Sequence, residues 1–481
     1  MQIRFFLFSL FFAVLSPSAH AADDGKIPFP GGKCSMFRVE LKDKSGTPYS
    51  LRKPKEFLSE RSIERRKRQG LKLDSTDLPV SPRYVEAIKA RGAAYYFQKG
   101  GVACNLKYDM SVVGTSKWNN TVLVRTSDDY VADVLRLLPF VKKVTKVLAA
   151  PDSVMPPVRS IVAESLAKAD TMKVGMYGHT DKQIDVVNGK PLHEAGFRGK
   201  GMMIAVLDGG FMNVDKIPCM QKIDIVATKV VGQPSFGTVC DALDHGTCVL
   251  SLMAVDEPGI YVGTAPEASY VLVKTEVGQY EQMVEEDFWA MGAEYADSIG
   301  ADLINSSLGY NLYDVAEQNH KYGELDGKTS LISRTASMLA SKGIVHCNSA
   351  GNSGNNQWKK IGVPADADDI LAVGALTPKK MNANFSSVGP SADGRVKPDI
   401  MAPGNPTAVV NGRGNISYGS GTSFASPLLC GLVACLWQSM PEKTACEIMD
   451  IVRMTGDRAE EPDNVFGHGI ADFGKAYQYG K

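Results

Sequence analysis

The chain has 481 residues, of which 44% are hydrophobic and 22% charged, an ordinary globular composition with room for two or three domains. Its 53 basic and 53 acidic residues cancel, so the net charge is zero. The composition therefore excludes a strongly basic or acidic protein and gives no indication of binding to nucleic acid or to an acidic membrane surface.

Residues 1–21 have the pattern of an export signal. Arg4 supplies a positive charge, residues 5–15 form an apolar run too short to span a bilayer, and Ala19-His20-Ala21 resembles a cleavage site. No cysteine closely follows this run, and no later segment has the pattern of a transmembrane helix. We predict an exported, soluble protein, secreted to the periplasm or to the extracellular medium.

Residues 22–80 are polar and rich in turns. Between residues 51 and 72 there are nine basic residues and three acidic ones, including Arg65-Arg66-Lys67-Arg68. Such a run can be a docking or processing site, but a solvated helix face is the commoner explanation and the one predicted.

Residues 82–147 are predicted to form a compact α+β module of ferredoxin-like pattern. Its predicted elements are helices at 82–90 and 128–138 and strands at 93–97, 121–125 and 141–147. The prolines at 151, 156 and 157 mark residues 148–175 as a connector, so residues 22–175 form a distinct N-terminal region.

From about residue 176 to 481, short apolar runs alternate with helical segments, which is typical of an α/β domain with a parallel sheet. Strands are predicted at 202–207, 269–273, 302–306, 344–347 and 370–373, and helices at 248–254, 285–299 and 331–342. Polar residues at strand ends and helix starts are the candidates for chemistry in such a domain.

Three such residues stand out, each beside glycine. Asp208 ends a buried strand, His245 opens an apolar helix, and Ser423 begins the apolar helix that follows Gly419-Ser420-Gly421-Thr422. Taken singly, a turn cap, a structural histidine and a helix cap would explain them. Their order along the chain, Asp, His, Ser, is that of one of the known catalytic-triad arrangements.

With this order, three segments resemble the signatures of the subtilisin-like (S8, subtilase) serine peptidases, in their secreted bacterial type with an N-terminal propeptide. They are Asp208-Gly209-Gly210, His245-Gly246-Thr247 and Gly421-Thr422-Ser423-Phe424-Ala425-Ser426-Pro427. Further segments with the same resemblance are Ser306-Ser307-Leu308-Gly309, Ser349-Ala350-Gly351-Asn352-Ser353-Gly354, and the stretches 384–389, 397–404 and 466–472. The resemblance covers about residues 185–481.

The resemblance implies a subtilisin-like three-layer α/β domain with a mainly parallel central sheet. It implies that Asp208, His245 and Ser423 form a catalytic triad, and that the Asn352 amide and the Ser423 backbone N–H form the oxyanion hole. The implied substrate-binding residues are Ser306, Ser307, Leu308, Gly309, Ala350 and Gly351.

The implied partners are protein or peptide substrates and the chain's own N-terminal module, which would act as a propeptide that inhibits the domain and helps it to fold. No cofactor or metal is required for the implied catalysis. Structural calcium is possible, but no loop has a pattern that assigns it.

Several points remain open at this stage. Gly209 replaces the Ser or Thr that usually follows the catalytic Asp, and Cys248 lies one helical turn after His245. An esterase using the same triad and a non-catalytic binding protein on the same scaffold are the alternatives. Glu276, Glu281, Glu285 and Glu286 would favour basic substrate residues if they faced the cleft, although a solvated helix face is the commoner explanation.

The nine cysteines are an odd number, so at least one is unpaired within the chain. None has the spacing of a zinc site. Cys219 and Cys240 lie in one turn-rich stretch between Asp208 and His245, and we predict that they form a disulfide.

Overall fold

The computed structural model describes residues 27–29, 32–100, 109–154, 175–232, 237–241, 243–278 and 280–479. The predicted export signal, Cys104 and residues 155–174 of the predicted connector lie outside this part of the chain. Within the described residues, no helix combines the length and apolarity needed to cross a membrane.

The N-terminal part contains a four-stranded antiparallel sheet in the order β3-β4-β2-β5, with helices α2 and α3 packed against it. This strand order and the β-α-β-β-α-β succession are those of the predicted ferredoxin-like pattern. The elements of this part are β1 (Ile27–Pro28), β2 (Ser35–Leu41), α1 (Glu60–Arg68), α2 (Pro82–Gly100), β3 (Met110–Ser116), β4 (Thr121–Thr126), α3 (Val131–Arg136), β5 (Val141–Ala149) and β6 (Ser153–Val154).

Two predictions about this module are wrong. The strand predicted at 93–97 is the second half of α2, because Tyr84, Ile88 and Gly92 recur every four residues and bury one helical face. The module also begins earlier than residue 82, since β2 is a central strand paired with both β4 and β5. Its sequence alternates apolar and charged residues only over residues 37–41, and this short signal was overlooked in a region that is otherwise polar and rich in turns.

The second part is built on a seven-stranded parallel sheet in the order β15-β14-β13-β12-β7-β11-β8, which confirms the predicted fold class. Its strands are β7 (Met203–Asp208), β8 (Ile225–Val230), β11 (Ser269–Lys274), β12 (Leu303–Ser306), β13 (Val345–Ser349), β14 (Leu371–Leu376) and β15 (Ile400–Pro403). Three strand pairs lie outside this sheet: β1 with β6, β9 (Asp256–Glu257) with β10 (Tyr261–Val262), and β16 (Thr407–Val410) with β17 (Ile416–Gly419).

Helices cover both faces of the parallel sheet and complete a three-layer arrangement. Along β7, Ile204 and Val206 enter the apolar core on one face, whereas Ala205 and Leu207 enter the core on the other. The helices of this part are α4 (Asp181–Val186), α5 (Lys190–Glu194), α6 (His245–Ala254), α7 (Val284–Ile299), α8 (Leu331–Met338), α9 (Thr422–Ser439), α10 (Ala445–Met454) and α11 (Phe473–Tyr479).

The strand order fixes where a site can form. After β7 the chain builds β8 and β11 on one side and then crosses to build β12 on the other side of β7. Ligand sites in open parallel sheets lie at the carboxyl ends of strands where the order reverses. Here that position is the end of β7, which is Asp208.

The basic run at 51–72 is only in part the solvated face that we predicted, since seven of its nine basic residues are exposed and two are buried. It contains α1, where Arg65 and Arg66 are buried and pair with Asp297 of α7. A buried guanidinium needs such a partner, because leaving water without one costs several kcal/mol. The docking explanation therefore applies to these two residues, and the solvated-face explanation to most of the others.

The predicted disulfide between Cys219 and Cys240 is also wrong, since both thiols are free. The two side chains lie in separate surroundings: Cys219 is near Glu257 and Lys222, and Cys240 is near Asp215. Burial raises the pKa of each thiol to about 11, so both remain protonated at neutral pH.

Candidate active site

Asp208 lies at the carboxyl end of the buried strand β7, and its side chain is fully buried. One carboxylate oxygen, Oδ1, accepts a hydrogen bond of 2.8 Å from the Gly209 backbone N–H. This bond fixes the orientation of the carboxylate and partly compensates for its removal from water.

His245 is the first residue of α6 and is held against the end of β7 by a glycine contact. The Gly246 N–H donates to the Gly210 carbonyl at 2.9 Å, and a Cβ on Gly246 would come within 2.4 Å of that oxygen. No other residue allows this approach, which brings His245 Nδ1 to 2.8 Å from Asp208 Oδ1 and 3.1 Å from Oδ2.

The Asp208 carboxylate favours the protonated, positively charged form of the His245 imidazole ring. Burial lowers the pKa of His245, but the Asp208 charge and hydrogen bond outweigh that effect, so the pKa is raised above its usual value. An imidazolium at this position is thus stabilised by the carboxylate, as required of a general base that becomes charged during a reaction.

Ser423 lies in the first turn of α9, which runs through the core below the sheet. Its side-chain hydroxyl donates to the Ser307 carbonyl at 3.3 Å, and its own carbonyl accepts from the Ser307 hydroxyl at 2.8 Å. The next residue, Phe424, places its ring 6.0 Å from the His245 ring, centroid to centroid. The fold therefore brings the three predicted triad residues to one edge of the sheet.

Asn352 follows β13 and is exposed. Hydrogen bonds hold the oxygen end of its side-chain amide. Its Oδ1 accepts 2.9 Å hydrogen bonds from both the N–H and the hydroxyl of Thr422. The other end, Nδ2, lies 3.6 Å from where a Cβ of Gly421 would be. With its oxygen occupied, the amide presents its N–H donors beside the Ser423 turn, as an oxyanion donor must.

A pocket opens beside Asn352. Three of the six predicted substrate-binding residues line it: Gly309, Ala350 and Gly351. Its full lining is Gly309, Tyr310, Asn311, Ser349, Ala350, Gly351, Asn352, Ser353, Gly362 and Ser387.

The other three predicted substrate-binding residues directly precede Gly309 in the sequence and are not part of the pocket lining. Ser306 is fully buried and its hydroxyl accepts from the Trp289 indole at 2.9 Å, so this side chain belongs to the core. Ser307 is nearly buried against Ser423, and Leu308 is half-buried.

The two departures from the family pattern have local explanations. A Cβ on Gly209 would lie 2.9 Å from Leu243 Cδ1, so the usual Ser or Thr would require the Leu243 side chain to shift. Cys248 packs in a small cluster with Leu252, Val409 and Phe424. Burial raises the pKa of the Cys248 thiol well above its usual value, which leaves it unreactive and structural.

The four glutamates near the cleft are not on the solvated helix face that we predicted. Glu285 and Glu286 are each 1% exposed. Glu286 pairs with His320 at 2.8 Å; burial opposes the charge, but this partner and its neighbours lower the pKa of Glu286 to about 2. The burial of Glu286 could not be predicted from the sequence, because its partner His320 comes from a distant segment of the chain.

Glu276 and Glu281 differ from Glu286, because burial raises their pKa values to about 8 and about 7. Glu276 accepts a hydrogen bond from the hydroxyl of Tyr310, which lines the pocket. The effect of these carboxyl groups on basic substrate residues stays a prediction.

One positioning residue and one structural contact were not identified from the sequence. Thr422 orients Asn352, and Asn305 connects β12 to α9 through a 2.8 Å bond from the Ser426 hydroxyl. Thr422 is adjacent in sequence to Ser423, and Asn305 is adjacent to Ser306. Their hydrogen-bond partners become known only from the folded structure.

Among the described residues, no group of three or more His, Cys, Asp or Glu side chains has the arrangement of a metal site. A calcium site therefore stays unassigned.

Comparison with known proteins places this geometry in a family. The sequence profile of the Subtilase family (peptidase S8) matches residues 199–469, and that of the peptidase S8 propeptide domain of Bacteroidota matches residues 36–157. Subtilisin DY from Bacillus licheniformis is 30% identical over 284 residues, which cover 56% of this chain and 89% of the relative.

Two further relatives match over a smaller share of their own length. Subtilisin NAT from Bacillus subtilis subsp. natto is 30% identical over 278 residues, 56% of this chain and 65% of the relative. Serine protease AprX from Bacillus subtilis (strain 168) is 29% identical over 306 residues, 57% of this chain and 65% of the relative.

A solved structure shares the fold. The MycP3 protease from the type VII (ESX-3) secretion system superposes with a TM-score of 0.50 at 20% identity, covering 67% of this chain and 93% of that one. Together with the profile match over more than half of the sequence, these findings show that the chain belongs to the subtilase family.

Proposed function

We propose that the protein is an exported serine endopeptidase that hydrolyses peptide bonds through Asp208, His245 and Ser423. The observation that carries the proposal is the bond of 2.8 Å between His245 Nδ1 and the buried Asp208 carboxylate, at the sheet edge where Ser423 begins α9. A buried carboxylate that orients a histidine beside a serine is the arrangement needed to activate a hydroxyl nucleophile.

In the proposed reaction, the Ser423 hydroxyl turns from the Ser307 carbonyl toward His245 Nε2, which takes its proton as Oγ attacks the peptide carbonyl. Asp208 keeps the proton of the neutral imidazole on Nδ1 and stabilises the imidazolium. The Asn352 amide and the Ser423 N–H bind the oxyanion. His245 then protonates the leaving amine, and water hydrolyses the acyl-enzyme by the same steps. These residues supply the chemistry without a metal or cofactor.

The experiment for this proposal is a kinetic comparison on matched peptide and ester substrates, with the peptide products sequenced by mass spectrometry. An endopeptidase cleaves internal bonds of the peptides. Hydrolysis of esters with no cleavage of any peptide would favour the alternative of an esterase, and no turnover of either would favour a binding protein on this scaffold.

Asn352→Leu should lower kcat by about a hundredfold or more with little change in KM, because an oxyanion donor contributes mainly in the transition state. Asn356→Leu is the matched control, since Asn356 is exposed in the same loop and its Oδ1 accepts from the Trp358 N–H. Steady-state kinetics of both variants check this. A folded Asn352→Leu enzyme with normal kcat would show that Asn352 is only a turn residue.

We expect the chain to cut itself between about residues 150 and 185, so that the N-terminal module is a propeptide. The prolines at 156 and 157 lie in this range, and segments that connect compact units are preferred cleavage sites. Mass spectrometry of the purified protein would locate the new N-terminus. If Ser423→Ala is processed as efficiently as the wild type in a host lacking other proteases, self-cleavage is wrong.

A further inference from the structure

Three carboxyl groups at one edge of the cleft form no ion pair within the described part of the chain. Glu276 and Glu281 lie between β11 and α7, and Glu285 is the second residue of α7. The charges that act most strongly on these three groups are those of other acidic side chains. We call Glu276, Glu281 and Glu285 the acidic group.

The next two residues of α7 show that this lack of positive charge is local. Glu286 pairs with His320 at 2.8 Å, and Asp287 pairs with Arg38 at 2.7 Å. A buried carboxylate needs such a partner, because leaving water without one costs several kcal/mol. The fold therefore supplies cations to the neighbours of the acidic group but not to the group itself.

Glu276 is the member of the acidic group that lies beside the candidate triad. The N–H of the preceding residue, Thr275, donates to the Asp208 carbonyl at 3.0 Å, and a Cβ on Gly209 would lie 3.5 Å from Glu276 Cβ. The Glu276 carboxylate accepts a hydrogen bond from the Tyr310 hydroxyl. Because Glu276 is only half-buried, a bound substrate can reach it.

Two buried polar atoms next to Glu276 have no hydrogen-bond partner among the described residues. The first is Glu285 Oε2, in a side chain that is 1% exposed and whose Oε1 accepts from the Val277 N–H at 3.1 Å. The second is the hydroxyl of Tyr280, which is 7% exposed. Both side chains lie close enough to interact electrostatically with Glu276. Such atoms are rare in folded proteins, so a partner from outside the described chain is indicated.

The electrostatics of the acidic group favour a positively charged partner. Burial raises the pKa of Glu276 to about 8 and that of Glu281 to about 7, and it raises the pKa of Glu285 well above its usual value. Mutual repulsion adds to each effect, with Asp208 contributing at Glu276 and Asp314 at Glu281. A nearby cation opposes both effects, because it stabilises the ionised carboxylates.

The strand order places Glu276 on the opposite side of Asp208 from the pocket. The pocket lies at the ends of β12 and β13, Asp208 ends β7, and Glu276 follows β11, in the sheet order β13-β12-β7-β11. The pocket beside Asn352 takes the substrate residue whose carbonyl is attacked. Successive side chains of an extended peptide point to opposite sides, so the preceding substrate residue directs its side chain toward Glu276.

An apolar surface lies beside Glu276 on this side of the cleft. Leu243 is half-buried two residues before His245, and its Cδ1 lies 2.9 Å from the Cβ position of Gly209, which Glu276 also contacts. Gly278 is exposed and places no side chain over Leu243. Lysine and arginine combine an aliphatic stem with a charged end, and they fit a surface that is apolar and then acidic.

We propose that Glu276 selects substrates with a lysine or arginine immediately before the residue that enters the pocket. This specificity rests on the proposed endopeptidase activity and adds to it the class of substrate. The Glu276 carboxylate binds the ammonium or guanidinium group, and the Tyr310 hydroxyl fixes its orientation. Glu281 and Glu285 strengthen the negative potential at this place, and the stem of the substrate side chain lies on Leu243.

The test compares three internally quenched peptides built on a sequence that the protein is found to cleave. They differ only in the residue before the one that enters the pocket, which is lysine, norleucine or glutamate. Norleucine has the aliphatic stem of lysine without the ammonium group. We expect kcat/KM for the lysine peptide to exceed that for the norleucine peptide by about tenfold or more, with the glutamate peptide poorest. The masses of the products check that the same bond is cut.

The outcomes separate this specificity from the activity on which it rests. Equal kcat/KM for the lysine and norleucine peptides would overturn the specificity and leave the endopeptidase proposal standing. If no peptide sequence is cleaved at all, the proposed activity fails and the specificity fails with it.

A matched pair of variants assigns the preference to Glu276. Glu276→Gln keeps the size of the side chain and an oxygen for the Tyr310 hydroxyl but removes the charge, so the lysine-to-norleucine ratio should fall to about one or two. Glu267→Gln is the control at the other end of β11, where Glu267 is exposed and pairs with Arg198 at 2.9 Å. This control should keep the wild-type ratio. A wild-type ratio in Glu276→Gln would show that another group recognises the lysine.

Charge reversal provides a second variant. Glu276→Lys should prefer the glutamate peptide over the lysine peptide, because the like charge now repels lysine. Each ratio compares two substrates on one preparation, so a partial loss of folded enzyme does not alter it, and the wild-type comparison needs no variant. A Glu276→Lys enzyme that still prefers the lysine peptide would contradict the proposal.

Discussion

Ser423→Ala should lower kcat for peptide hydrolysis by about a millionfold, to the level left by binding and the oxyanion hole. The reason is that Ser423 is the proposed nucleophile, so that its loss prevents formation of the acyl-enzyme. The change removes one hydroxyl from a residue that is 9% exposed, adds no volume and should leave the fold intact. Steady-state kinetics on an internally quenched peptide, with circular dichroism for folding, measures both.

Ser426→Ala is the control for this substitution. Ser426 lies one turn further along α9, is fully buried, and bonds to Asn305 at 2.8 Å. Its loss should cost about 1–3 kcal/mol of stability and leave kcat near the wild-type value. A Ser423→Ala enzyme that retains more than about a thousandth of the wild-type kcat would show that another residue is the nucleophile.

Asp208→Asn should lower kcat by about ten-thousandfold, because the asparagine amide would donate to His245 Nδ1 and stabilise the wrong tautomer. His245 Nε2 would then carry the proton and could not accept one from Ser423. Asp241→Asn is the isosteric control, in the segment between β8 and α6, where the carboxylate accepts from the Thr238 N–H at 2.7 Å. Normal kcat in Asp208→Asn would remove Asp208 from the triad.

Asp208→Asn should also change the pH profile of kcat/KM. The pKa of His245 is raised above its usual value of 6.5 by Asp208. Because only the neutral imidazole accepts a proton, kcat/KM falls as the pH drops through this raised pKa. Removing the Asp208 charge should move the acid limb to lower pH. An unchanged limb would mean that another group limits the rate.

The parallel sheet and the candidate site residues could be predicted from the sequence because both depend on local patterns. Fully apolar strands such as β7 and glycine-flanked polar residues such as His245 are visible without knowing what packs against them. The central strand β2 was missed for the opposite reason. Its neighbours β4 and β5 lie far away along the chain, and its own apolar–charged alternation covers only residues 37–41 within a polar, turn-rich stretch.

Charged residues were the least predictable from the sequence. Arg65 and Glu286 belong to helices whose composition is typical of solvated faces, yet both are buried. Their partners, Asp297 and His320, are separated from them by long stretches of chain. A charge pattern indicates solvent exposure only when no complementary charge is folded against it, and a single sequence does not contain that information.

The most direct test of the account is the reaction of the purified protein with a fluorophosphonate probe, mapped by mass spectrometry. We predict one adduct, on Ser423, which is lost in His245→Ala and suppressed by a competing peptide substrate. An adduct on a different serine, or a preparation that cleaves peptides without any adduct on Ser423, would contradict the assignment of Ser423 as the nucleophile.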